Sequence, residues 1–133
     1  MSSTGGRIAI VLALVVVGAL AVSILKSRPQ VSQTVSIANC VATPNSVTLH
    51  YANGDQVQWM GDGQTYNLVF ASSPFSAANF AVTGAQAVSS GPISTAAKTC
   101  ALLAYFSGGC SYKYTITSSN NSCSQDPIVV VQK

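Results

Sequence analysis

The sequence predicts a small all-β sandwich preceded by one N-terminal transmembrane helix. Three observations predict it. Residues 8–25 form an apolar run interrupted only by Ser23. From about residue 31 onward, short segments alternate apolar and polar side chains between Gly-, Asn-, Asp- and Pro-containing turns, which is the period of half-buried strands. All four cysteines, Cys40, Cys100, Cys110 and Cys123, fall in that second part. With 133 residues in all, the chain has room for one domain after the apolar segment, so it divides into a membrane anchor or signal segment (1–28) and a β domain (29–133).

The first element is the apolar run. Eighteen residues of helix span about 27 Å, close to the hydrocarbon thickness of a bilayer. Arg7 precedes the run, and Lys26 and Arg28 close it. Two readings stay open: a single-pass anchor, or a cleaved signal peptide with Ala19-Leu20-Ala21 as a small-x-small cleavage site. The flanking charges do not settle orientation. Either reading carries the β domain out of the cytoplasm, at the cell membrane if anchored and secreted if cleaved. The membrane is therefore an expected partner through residues 8–25.

Removing residues 1–28 also removes half of the six basic residues. Lys98, Lys113 and Lys133 then balance Asp55, Asp62 and Asp126, for a net charge of zero. No basic surface for nucleic acid is expected. An even cysteine count in a small exported domain points to disulfides. Three pairings exist. The preferred one joins Cys100 to Cys110 around the short excursion 101–109, leaving Cys40 for Cys123.

The β elements follow in order. Residues 34–37 have strand propensity. Val47, Leu49 and Tyr51 alternate with Thr48 and His50, and Val57 and Trp59 alternate with Gln56 and Gln58. Asn53-Gly54-Asp55 between them predicts a hairpin. Gly61-Asp62-Gly63 is a further turn before a strand over 66–70. The stretch 71–99 is rich in Ser, Ala and Gly, with Phe75 and Phe80 as apolar anchors under a long connection. Residues 96–106 fit a helical turn or a strand. Tyr112, Tyr114 and Ile116 alternate with Lys113 and Thr115, and a polar loop then leads to a final strand over 128–131. Six to eight short strands with no sustained helical period make a sandwich.

The stretch Pro44-Asn45-Ser46-Val47-Thr48-Leu49, followed by Asn53-Gly54-Asp55-Gln56-Val57-Gln58-Trp59, resembles the cupredoxin pattern of a Pro-led strand, a Gly-Asp turn and a Val-x-Trp strand. Tyr66-Asn67-Leu68-Val69-Phe70 is similar to the segment that begins His-Asn in that family. Residues 112–131 resemble its last hairpin, whose loop carries Cys, His and often Met. The resemblance covers about residues 31–133 and implies a cupredoxin-like Greek-key β-sandwich.

It also implies where copper ligands would stand, and the chain departs there. A type 1 site uses two imidazoles, a thiolate and a weak axial ligand. Tyr66 occupies the first His position, a pseudo-ligand position. Ile116 or Thr117 stands near the Cys position, and the loop over 118–124 has neither His nor Met. Cys123 sits near the axial position. His50 is the only histidine in the chain, so a two-His site cannot form within one subunit. His50 and Cys123 are the remaining weak metal candidates, and His50 reads more simply as a residue on a sheet face. Met60 reads as packing beside Trp59. Tyr66, Tyr112 and Tyr114 read as packing, with an exposed aromatic patch as the alternative. Asn120-Asn121-Ser122 fits a glycosylation sequon.

No enzyme is expected. The chain has no glutamate, its three aspartates lie in turns or before a proline, and no Gly-x-Ser-x-Gly or phosphate-binding glycine loop occurs. The expected function is a membrane-tethered extracytoplasmic binding or structural module, free of cofactor, acting on a protein or envelope partner. Two alternatives accompany it: a metal-handling or electron-transfer protein with an atypical site, and a surface filament or adhesion subunit.

Overall fold

The computed structural model describes residues 32–119, 123 and 125–133. The expected membrane segment and the sequon lie outside the described residues, among which no helix is long and apolar enough to cross a membrane.

Among the described residues, nine strands form two sheets: β1 (Ser32–Ala38), β2 (Val41–Thr43), β3 (Ser46–His50), β4 (Gln56–Met60), β5 (Tyr66–Phe70), β6 (Asn79–Val82), β7 (Ala87–Ser89), β8 (Cys110–Ser118) and β9 (Ile128–Gln132). One sheet has the order β2-β1-β4-β7, the other β3-β9-β8-β5-β6. Alternation places the core. Val35 and Ile37, Val57 and Trp59, Tyr66 and Leu68 and Phe70, Tyr114 and Ile116, and Val129 and Val131 all point inward and are buried. Trp59 fills the centre from the first sheet. Its ring lies 4.9 Å from Phe80 and 5.9 Å from Tyr114 of the second, and its Nε1 donates to the Tyr114 hydroxyl at 3.3 Å. A buried indole N–H needs such a partner.

The expected hairpin over 47–59 is corrected. β3 and β4 lie in different sheets, β3 parallel to β9 and β4 parallel to β1. The turn between them is an arch: Tyr51–Asn53 makes a single 3-10 turn, and Gly54 takes φ 72°. Asp55 then accepts the His50 amide on Oδ2 at 2.8 Å. The reason is burial. Both segments carry an apolar face, and an arch sets Leu49 and Trp59 across the core from one another, whereas a hairpin would leave them side by side in one layer.

Residues 71–99 are more ordered than their composition suggests. β6 and β7 lie there, and the Ser90 hydroxyl extends β7 by accepting the Val57 amide at 2.9 Å. The ambiguous 96–106 stretch resolves as helix α1 (Thr95–Leu103) and a 3-10 turn (Tyr105–Ser107). Ser94 caps α1 by accepting the Ala97 amide, and Ala97 and Ala101, four apart, form its buried face. Gly109, at φ 95°, closes the return to β8, where a Cβ would collide with the Val131 carbonyl.

Candidate functional site

The candidate site is the end of the sandwich where the resemblance places copper. Chain direction defines it. β1 and β4 run parallel toward it, β5 starts from it at Tyr66, and β8 arrives beside Tyr66 with Ser118.

Tyr66 is wholly buried. Its hydroxyl donates to Asp62 Oδ2 at 3.0 Å. The same carboxylate accepts the Asn39 amide on Oδ2 at 3.2 Å and the Gln64 amide on Oδ1 at 3.1 Å. The Gly-Asp-Gly turn therefore works as a clamp, with Asp62 folding back over its own loop and reaching the β1–β2 turn. That turn holds Asn39 and Cys40 at φ 51° and 66°, a left-handed conformation kept in place by the clamp and by the Cys40–Cys123 disulfide. The bridge ties the turn to the loop before β9, and Gln125 adds a second tie by accepting the Ala42 amide at 2.8 Å.

The electrostatics agree with this geometry. The Gln64 amide, followed by the Asn39 amide and the Tyr66 hydroxyl, holds the Asp62 carboxyl below its ordinary value. Burial pushes the Tyr66 phenol up, and its bond to anionic Asp62 adds to the rise. The pair thus stays as a neutral phenol donating to a carboxylate.

The two metal candidates are not brought together. Cys123 is bonded to Cys40 at this end. His50 lies opposite Gln132 at the other end, its Nδ1 3.6 Å from Asp55 Oδ2. Asp55 is buried there, and its Oδ1 has no hydrogen-bond partner among the described residues. The other cysteine pair is Cys100–Cys110. Met60 does not pack as expected: it is exposed at the end of β4. Tyr114 is buried and Tyr112 half-buried, so Tyr66, Tyr112 and Tyr114 form no exposed patch. Burial raises both phenols, although the Trp59 N–H pulls Tyr114 partly back. Sequence reasoning placed Asp62 in a turn and missed its role. Its spacing of two before Gln64 and four before Tyr66 was the available signal.

Among the described residues, the donors gathered at this end are therefore a phenol, a carboxylate and a disulfide, with the Met60 thioether exposed at the end of β4. They do not fit a type 1 copper ion, which requires two imidazoles and a thiolate. Oxidised sulfur carries no thiolate charge, and Asp62 is committed to three donors.

No family profile and no curated protein matches the sequence. Among solved structures, an oxidised point mutant of amicyanin matches with a TM-score of 0.51 and 18% identity, covering 76% of this chain and 82% of that one. A reduced Cu(I) form of another amicyanin mutant, at pH 4, matches with a TM-score of 0.51 and 17% identity, covering 80% and 85%. At such identity the likeness is one of fold, and the fold is cupredoxin-like.

Proposed function

We propose that this cupredoxin-like fold serves as a membrane-tethered, extracytoplasmic binding or structural module whose former metal end has become a covalent and hydrogen-bonded cap. One observation carries the reading: at the position of the first imidazole, a buried tyrosine donates to a carboxylate that also clamps two backbone amides, beside a disulfide. Filling that end with satisfied polar groups stabilises the loops at the cost of metal affinity. A rigid loop surface suits recognition, because less ordering entropy is lost on contact. The apolar run 8–25 and the disulfides support a place outside the cytoplasm, at the membrane. The function is then contact with a protein or envelope partner, without redox chemistry.

Copper titration of the purified full chain in detergent tests this. The expected result is no stoichiometric uptake and no intense visible charge-transfer band. Stoichiometric copper with such a band would overturn the reading.

A further inference from the structure

Among the described residues, folding leaves one apolar cluster uncovered. Leu102, Leu103, Tyr105 and Phe106 are 52%, 83%, 58% and 100% exposed. The other large apolar side chains left exposed among the described residues, Val41, Met60 and Val69, are scattered and less exposed. The Cys100–Cys110 disulfide closes the loop that carries the cluster. The cluster occupies the end of α1 and the 3-10 turn after it, inside that loop. Tyr105 and Phe106 stack edge to face at 5.2 Å, and Lys133 Nζ stands 5.9 Å from the Tyr105 ring centre. Exposed patches of this kind mark binding surfaces or membrane contacts.

Strand register shows which end of the domain carries it. Ser32, the first residue of β1, pairs with Gln56. Next to Gln56, Asp55 accepts the His50 amide. His50 pairs with Gln132, and the Gln132 Nε2 donates to the Gly108 carbonyl at 2.8 Å. At spacings near 5 Å per step, these five steps bring Gly108, two residues beyond Phe106, within roughly 25 Å of Ser32, so the cluster lies at the same end of the sandwich. That end is where the chain arrives from the apolar segment. Seven residue steps separate Leu25 from Ser32, a contour of at most about 25 Å. The end bearing the cluster therefore cannot stand far from the surface that residues 8–25 enter.

Charge points the same way. Lys133 sits at this end, and Lys98 lies one helical turn before Leu102. Lys26 and Arg28 lie in the tether. The exposed aspartates, Asp62 and Asp126, lie toward the opposite end, and Asp55 is buried against the His50 amide.

We infer that Leu102, Leu103, Tyr105 and Phe106 seat the domain in the headgroup region of the bilayer that holds residues 8–25, so that the Asp62–Tyr66 end faces away from the membrane. The inference rests on the membrane-tethered reading and adds an orientation to it. Aromatic and aliphatic side chains beside lysines favour that interface. The tether supplies a high local concentration of lipid, so a small apolar cluster is sufficient.

The test uses the full chain reconstituted in phosphatidylcholine–phosphatidylglycerol vesicles, with or without bromine on the acyl chains. Two variants each add one indole, Phe106→Trp in the cluster and Gln64→Trp at the far end. Trp59 is buried and contributes a constant background. The expected result is a blue-shifted emission for Phe106→Trp whose added intensity brominated lipid lowers roughly twofold, with no change for Gln64→Trp. Equal, unquenched emission from both variants overturns the inference and leaves the tether standing, provided the chain still floats with the vesicles after an alkaline wash. Loss of the chain from the vesicles overturns both. A blue shift without quenching, accompanied by cross-linked pairs, assigns the cluster to a second copy and also overturns the inference.

Discussion

A carboxylate at the surface accepts three donors and holds the Tyr66 end of the sandwich together. Asp62 receives the amides of Asn39 and Gln64 and the hydroxyl of Tyr66. Its folded-state pKa lies below the ordinary 3.8. Its contribution to stability is therefore present above about pH 4 and is lost as pH falls through the folded-state value. Asp62→Asn is expected to lower the melting temperature at pH 7, and the gap from the parent is expected to narrow as pH falls below about 4. Tyr66 has the opposite sign. Its pKa is raised above 10.0, so its contribution holds below pH 10 and fades as pH rises through the folded-state value. Tyr66→Phe keeps the ring and removes the donor, an expected loss of about 1 kcal/mol in urea unfolding at pH 7. A rise in stability on Tyr66→Phe would show the hydroxyl to be a burial penalty and not a clamp.

Among the elements, the two disulfides act over very different spans. Cys40–Cys123 joins residues 83 apart, and Cys100–Cys110 joins residues 10 apart. In the chain-entropy account the first restricts the unfolded chain by about 4.5 kcal/mol and the second by about 2.7 kcal/mol. Replacing each pair by serines in the full chain is expected to show that order in denaturant unfolding followed by Trp59 fluorescence. A smaller loss from the Cys40–Cys123 pair would mean that Gln125 and the Asp62 clamp already hold that end without the bridge. β6 and β7 were not legible in the sequence, and α1 was legible only as one of two readings. The core-facing side of α1 is only Ala97 and Ala101, and two small residues give a weak helical period.

For the molecule as a whole, Trp59 is the side chain that joins the two layers. It belongs to one sheet and packs on Phe70, Phe80 and Tyr114 of the other, with Phe75 from the connecting segment edge-on at 6.2 Å. Trp59→Ala is expected to cost about 3–5 kcal/mol, because the cavity opens between the two layers and neither can close it alone. Hydrogen exchange should show equal loss of protection at Val35 in the first sheet and Leu49 in the second. Loss confined to one sheet would show that the layers unfold separately. The remaining net charge of zero on the described fold adds little repulsion to oppose this packing.

Local signals were enough for much of this. The period-two alternation of Val57 with Trp59, and of Tyr114 with Ile116, reads as strand because each side chain's face depends only on its neighbours. The shortage of histidine needed no geometry, since a count of one already denies a two-imidazole site. The tertiary structure decided the partners. Asn53-Gly54-Asp55 is compatible with a hairpin or an arch, and the choice fell to the arch because β9 and β1 offered the edges that let Leu49 and Trp59 meet across the core. Distance in space also decided that Asp62 reaches Asn39 and Tyr66, that His50 and Cys123 stand at opposite ends, and that Phe106 shares an end with Ser32. Those relations depend on long-range pairing, and no window of sequence contains both partners.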